Sequence, residues 1–230
     1  MTILNKLEID VMQVSELDEA SELAAKYKLP ALVVHQSLAG EAHIARGRVR
    51  GRFKLITPID WPKGENFGIS KIRGLSMDAL EADGFEILLT PNKSEKDTKN
   101  EVYVITEFIR NHVAQQAEIR FVLGTYIHEP EQISKMLSGL VGVRTPDLIR
   151  NDINLKTQVS KSNPDIHNNT LARIAELVRY KTKICGNITD IKTMAACKGV
   201  SKFGVSLLQA KSIIKEFKQQ PADELKEILA

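Results

Sequence analysis

The 230-residue chain has two cysteines, Cys185 and Cys197, too few for a disulfide framework and without ligand-spaced partners for structural zinc. Five scattered histidines, His35, His43, His112, His128 and His167, form no HxH or HExxH pair, so no metal site is expected. No window approaches the roughly 18 apolar residues of a membrane span. The opening MTILNKLEID lacks the basic and apolar regions of a secretory leader. GxGxxG and GxxxxGKS/T are also missing, which removes the usual dinucleotide and nucleoside-triphosphate readings of an α/β chain. The expectation is a cytoplasmic protein in a reducing compartment, with no membrane partner.

Hydrophobic residues at 43% and charged residues at 27% are ordinary for a globular protein. The formal net charge is +3, and Arg46, Arg48, Arg50, Arg52 and Lys54 supply much of the local excess. Alternating Arg with Gly and Val could mark a nucleic-acid patch. A single short run fits a solvated crossover surface better, so nucleic acid is not the expected partner.

Along the chain, KLEIDVMQ, ALVVHQ, FKLITPID, GFEILLTP, IRFVLGT, NLKTQVSKS, TKICGNI and SKFGVSL read as strands centred near residues 9, 33, 56, 87, 121, 156, 184 and 204. Helical spacing intervenes: SELDEASELAAKYK with Ser15 as N-cap, residues 68–81 weakened by Gly74, residues 101–116, EPEQISKMLSGLVG, TLARIAELVRY, TDIKTMAACKG capped by Thr189, and a closing LLQAKSIIKEFK. A helix in the basic crossover after the second strand is doubtful. Alternation without a late all-helical or all-strand block predicts an α/β chain folded as a single (β/α)8 TIM barrel over residues 1–230.

In such a barrel, function belongs at the C-terminal ends of the strands. The polar residues there are Asp10, His35, Asp60, Glu86, Thr125, Lys156, Lys183 and Ser206. Lys156 alternates with aliphatic neighbours, so a strand turns it to one face; alone, the window reads rather as an edge strand with a solvated lysine. Beside Lys183 on the next strand, like-charge repulsion and desolvation would leave one amine neutral and nucleophilic. Asp10 or Glu86 could relay protons as a carbinolamine dehydrates. Gly186 and Asn187 in GNIT, and Gly204 and Ser206 in FGVS, could bring backbone N–H groups to a phosphate, or could simply form tight turns.

These residues resemble the motifs of the deoxyribose-phosphate aldolase family of class I aldolases. Leu155-Lys156-Thr157 is similar to its strand-six lysine motif, Thr182 to Ile188 to its strand-seven motif, and Ile9-Asp10-Val11 to its first-strand aspartate motif. Trp61-Pro62-Lys63-Gly64 and Phe203-Gly204-Val205-Ser206 resemble its aromatic-proline turn and its closing phosphate-binding turn. The resemblance spans nearly the whole chain. It implies Lys156 as the Schiff-base lysine, Lys183 as its activator, a carbon-carbon lyase acting in deoxyribonucleotide catabolism, and no metal or organic cofactor.

The departures from the family pattern mark a divergent member. Glu86 stands for an aspartate one methylene shorter, Gly124 for a glutamate, Asn187 for a glycine and Thr189 for a basic residue. Gln158, Val159, Ser160 and Lys161 replace a small-residue turn at phosphate, leaving Lys161 as a candidate phosphate contact. Two functions fit: an aldolase acting on deoxyribose 5-phosphate or a related aldehyde, or a catalytically lapsed barrel serving in binding or assembly. The expected partners are a small-molecule aldehyde or sugar phosphate, with a homodimer as the possible assembly.

Overall fold

Segments of four to six residues build a parallel sheet: β1 (Leu7–Val11), β2 (Ala31–Val34), β3 (Lys54–Ile59), β4 (Gly84–Leu88), β5 (Glu118–Val122), β6 (Leu148–Asp152), β7 (Thr182–Cys185) and β8 (Lys202–Ser206). The computed structural model describes residues 3–60, 66–90, 93–122, 148–152, 182–185, 188–196 and 200–221. Strands pair in chain order and β8 returns to β1, closing the sheet. The described helices are α1 (Leu17–Tyr27), α2 (Ala39–Arg48), α3 (Met77–Leu80), α4 (Glu95–Phe108), α5 (Ile191–Ala196) and α6 (Leu207–Gln219). The α/β class is as expected from sequence. The helices expected in EPEQISKMLSGLVG and TLARIAELVRY, and the turn at Trp61 to Gly64, lie outside the described residues.

Because side chains alternate along a strand, each strand turns one set to the helices and the other to the interior. Ile9, Val11, Leu32, Val34, Phe203 and Val205 form one buried cluster with Ala20, Ala24, Ala42, Ala45, Ile213 and Ile214 from the helices. Phe85, Ile87, Ile119 and Phe121 form a second with Val102, Ile105 and Ile109 of α4 and its π turn. Burying each valine, leucine, isoleucine or phenylalanine side chain among these contributes roughly 1.5–3 kcal/mol.

Several local expectations are corrected. The basic crossover does hold a helix: α2 buries the small face Ala39, Ala42 and Ala45, so close packing on the sheet outweighs its glycines. Ser15 is not the cap of α1, because a 3-10 turn, Val14–Glu16, precedes it. Residues 68–81 divide into a 3-10 turn, Gly68–Lys71, and the short α3. α4 starts earlier than its apolar period suggests, because the Ser94 side chain accepts a hydrogen bond from the Asp97 N–H. At α5, Asp190 rather than Thr189 accepts from the Thr193 N–H, at 2.7 Å.

The sixth strand is also displaced. Leu148–Asp152 pairs with both β5 and β7, upstream of the segment expected there, and NLKTQVSKS lies outside the described residues. LIRND has no alternating apolar pattern, so periodicity passed over it. The Arg46 to Lys54 run is split between α2, a turn and β3. Arg46 pairs with Asp83, Arg48 with Asp18 at 2.9 Å and Lys54 with Glu118 at 2.8 Å. Most of the run is thus neutralised on the protein itself, which favours the surface reading over a nucleic-acid patch.

Candidate active site

Residues in register on adjacent parallel strands share a face. Glu8 stands beside Ala31 and Gly204, Asp10 beside Val33 and Ser206, Glu86 beside Arg120, and Lys183 beside Lys202. The interior therefore has two characters. On β2 and β3 it is an apolar patch of Ala31, Val33 and Ile56. On β1, β4, β5 and β7 it is charged.

The centre of the charged side is Lys183, whose side chain is fully buried (0% exposed). Its Nζ lies 2.8 Å from Glu8 Oε2 and 2.8 Å from Glu86 Oε1, and both carboxylates are also 0% exposed. Arg120 completes the group. Its Nη1 donates to Glu8 Oε2 at 2.7 Å and to Glu86 Oε1 at 2.8 Å, while Nη2 donates to Glu8 Oε1 at 2.9 Å. The guanidinium thus holds Glu8 bidentately and bridges to Glu86, the geometry in which arginine forms its strongest carboxylate contacts.

Two carboxylates and two cations balance. Unpaired, any one of them would pay a desolvation cost of several kcal/mol. Burial raises the proton affinity of Glu8, but Lys183 and Arg120 outweigh it and hold its carboxyl well below the usual range. Burial likewise disfavours the Arg120 cation, and Glu8 and Glu118 more than compensate, so the guanidinium stays charged.

The cluster continues in both directions. Toward the N-terminal ends of the strands, Arg120 Nε donates to Glu118 Oε1 at 2.9 Å, and Glu118 accepts from the half-exposed Lys54 at 2.8 Å. Lys202 lies 4.0 Å from Glu8, and burial lowers the proton affinity of its amine. Toward the C-terminal ends, Asp10 Oδ1 lies 3.7 Å from Lys183 Nζ. With its side chain 15% exposed, Asp10 is the most exposed of the three carboxylates, Glu8, Asp10 and Glu86, that flank Lys183 among the described residues.

Of the expected site residues, Lys183, Glu86 and Asp10 come together. Lys156, Lys161, Gly186 and Asn187 lie outside the described residues, as does Thr125. Gly204 is in the strand wall: a Cβ there would stand 2.4 Å from Cys185 Sγ, 2.7 Å from Lys183 Cε and 3.3 Å from Asp10 Oδ2. Its missing side chain makes the space that Lys183 occupies. Ser206 caps α6 in a reciprocal box, accepting from the Gln209 N–H at 3.3 Å while its own N–H donates to Gln209 Oε1 at 2.9 Å.

Asp60, another strand-end candidate, works elsewhere. It has φ +58° and accepts from Lys71 Nζ at 2.6 Å, Asn66 N–H at 3.0 Å and Asn66 Nδ2 at 2.8 Å. Lys71 is also 3.5 Å from Glu101, whose carboxylate accepts from the Thr90 hydroxyl and the Gly68 N–H. This second buried network ties the segment after β3 to the end of β4 and to α4. His35 caps the turn that follows β2, its Nδ1 lying 2.8 Å from Ser37 Oγ.

Glu8 and Arg120 went unread in the sequence. Glu8 lies two residues before Asp10 and Arg120 two after Glu118, so period two put each on an inward face. Among the described residues, no group of three or more His, Cys, Asp or Glu side chains is arranged to hold a metal, and no helix is long and apolar enough to cross a membrane.

No protein-family model and no curated protein sequence matches the chain. Solved structures do. Deoxyribose phosphate aldolase from Aeropyrum pernix, described as a unique tetramer, superposes with a TM-score of 0.77 at 15% identity, over 94% of this chain and 91% of that one. An aldolase designated QR15 gives 0.72 at 18% identity, over 95% and 97%. The YdjI aldolase from Escherichia coli K12 gives 0.59 at 16%, over 99% and 87%. At these identities the likeness establishes architecture: the chain has a fold shared with deoxyribose-phosphate aldolases and other aldolases.

Proposed function

We propose that the protein is a class I aldolase, a single (β/α)8 barrel over residues 1–230, that forms an imine with deoxyribose 5-phosphate or a related aldehyde at Lys156. The observation that carries this reading is the fully buried Lys183, fixed between Glu8 and Glu86 with Asp10 3.7 Å away. Lys156 follows by four residues the end of β6, the strand next to β7, and C-terminal strand ends are where barrels of this kind place their chemistry.

In the proposed reaction the neutral Lys156 amine adds to the substrate carbonyl, and the carbinolamine loses water to give an iminium. Loss of the 3-hydroxyl proton then breaks the C2–C3 bond of the sugar: C3 to C5 leave as glyceraldehyde 3-phosphate, and C1 and C2 remain on the lysine as an enamine that is protonated at C2 and hydrolysed to acetaldehyde, which frees the amine. Asp10 is the proposed proton carrier, because it is more accessible than Glu8 or Glu86, the other carboxylates described beside Lys183. Glu86 holds the Lys183 ammonium. Lys161, Gly186, Asn187 and Ser206 are the proposed phosphate contacts, with Gly204 clearing the wall beside Lys183. The soluble cytoplasmic setting and a homodimer belong to the same proposal.

A second reading has its own observation. Glu8 and Glu86 leave Lys183 largely neutralised, which weakens its repulsion on any neighbouring amine and suits a lapsed barrel used for binding or assembly. Release of acetaldehyde from deoxyribose 5-phosphate, followed by a coupled alcohol dehydrogenase assay, separates the two. Steady release that disappears in Lys156→Ala supports the aldolase; no release from this sugar or from other β-hydroxy aldehydes supports the lapsed barrel.

A further inference from the structure

Glu8 and Arg120 have no part in the proposed imine chemistry, yet they occupy the interior beside the lysine that does. Arg120 reaches from β5 to both oxygens of Glu8 on β1 and to Glu86 on β4, and both carboxylates then converge on one nitrogen of β7. We infer that Glu8 and Arg120 are positioning residues: the Arg120 fork locks the carboxylates of Glu8 and Glu86, and these in turn fix where the Lys183 ammonium sits in the interior. The inference rests on Lys183 belonging to the catalytic group proposed above.

Three observations carry it. First, the Lys183 stem is long and rotatable, and would lose its single placement without fixed acceptors. Both its 2.8 Å partners are oxygens that Arg120 also binds, at 2.7 and 2.8 Å, so the fork sets their positions. Second, the guanidinium cannot give up a proton, so it clamps without joining any transfer. Its own outer contact, Glu118 at 2.9 Å, anchors the clamp toward the N-terminal ends of the strands, away from Asp10. Third, on β8, between β7 and β1, Gly204 clears the wall beside the lysine stem, where a Cβ would fall 2.7 Å from Lys183 Cε. The ammonium is thus held by the carboxylates, and its stem is given room at Gly204.

The test uses the full chain labelled with 15N-lysine. The exchange of the Lys183 Nζ protons with water is followed by NMR, with the buried Lys71 ammonium of the separate Asp60 and Glu101 network as internal reference. The double variant Glu8→Gln/Arg120→Met removes one charge of each sign, so the interior stays balanced while the clamp is lost. Its Lys183 protons should exchange at least about tenfold faster with those of Lys71 unchanged, and its imine formation with acetaldehyde should slow by up to roughly a hundredfold, the scale of a 1 Å misplacement. Lys183 exchange within twofold of the parent overturns the inference. If the double variant does not fold, Arg120→Lys decides: an ammonium on a flexible stem lacks the planar fork that grips both Glu8 oxygens and reaches Glu86, so faster Lys183 exchange supports the clamp and parental exchange refutes it. A parent chain that forms no imine defeats the aldolase reading alone, because the proton-exchange comparison still decides the positioning role.

Discussion

Replacing Lys183 with methionine removes one of the two cations that hold Glu8 and Glu86 in an interior where both are 0% exposed. Arg120 alone then faces two carboxylates. Removing one partner of a buried ion pair costs about 3–5 kcal/mol, against a typical total stability of about 5–15 kcal/mol. For a chain of this size each kcal/mol corresponds to about 2–4 °C, so the melting temperature should fall by roughly 6–20 °C. Urea unfolding followed by far-UV circular dichroism, together with calorimetry, measures the loss. Glu86→Gln/Lys183→Met restores the balance, with Glu8 still held by Arg120 at 2.7 and 2.9 Å, and should recover more than half of the lost stability. A single variant within about 1 kcal/mol of the parent, or a double variant no more stable than the single, would refute the charge-balance argument.

Two further predictions concern the same interior. Gly204→Ala places a methyl 2.4 Å from Cys185 Sγ and 2.7 Å from Lys183 Cε, so it should cost about 1–3 kcal/mol in urea unfolding and displace Lys183; a fully stable Gly204→Ala would contradict the packing described. The Glu8 carboxyl is depressed in the folded chain by Lys183 and Arg120 against the opposing effect of burial, so its stabilisation is present above the unfolded glutamate value of about 4.3 and is lost as pH falls through the lower folded value. Stability should therefore decline through the acid range. Glu8→Gln should show a shallower acid slope, and an identical slope would exclude Glu8 as a contributor.

The α/β class was legible because strands covered by helices carry dense aliphatic runs such as Ala31–Val34, and such runs survive in a single sequence. β6 was misplaced for the opposite reason: Leu148–Asp152 mixes aliphatic with charged and polar residues, and its identity as a strand rests on its pairing with β5 and β7. Lys183, Asp10 and Glu86, which the structure brings together, were legible as inward polar residues because they sit in clear strands within recognisable motifs. Glu8 and Arg120 carried the same inward periodicity, but 112 residues separate the two, and no local pattern announces a bond across that distance. Gly204 was read as a phosphate contact, or else a turn glycine, because FGVS leads into α6. Only the surrounding atoms reveal that its use is to make room for Lys183.

The central claim is that Lys156 carries the imine. Incubating the protein with deoxyribose 5-phosphate or acetaldehyde, reducing with borohydride and mapping peptides by mass spectrometry tests it in one step. The account predicts a single reduced adduct on the peptide containing Lys156, formed far more slowly in a Lys183→Leu variant that remains folded. An adduct at Lys183, an adduct spread over surface lysines, or no adduct with any small aldehyde would contradict it.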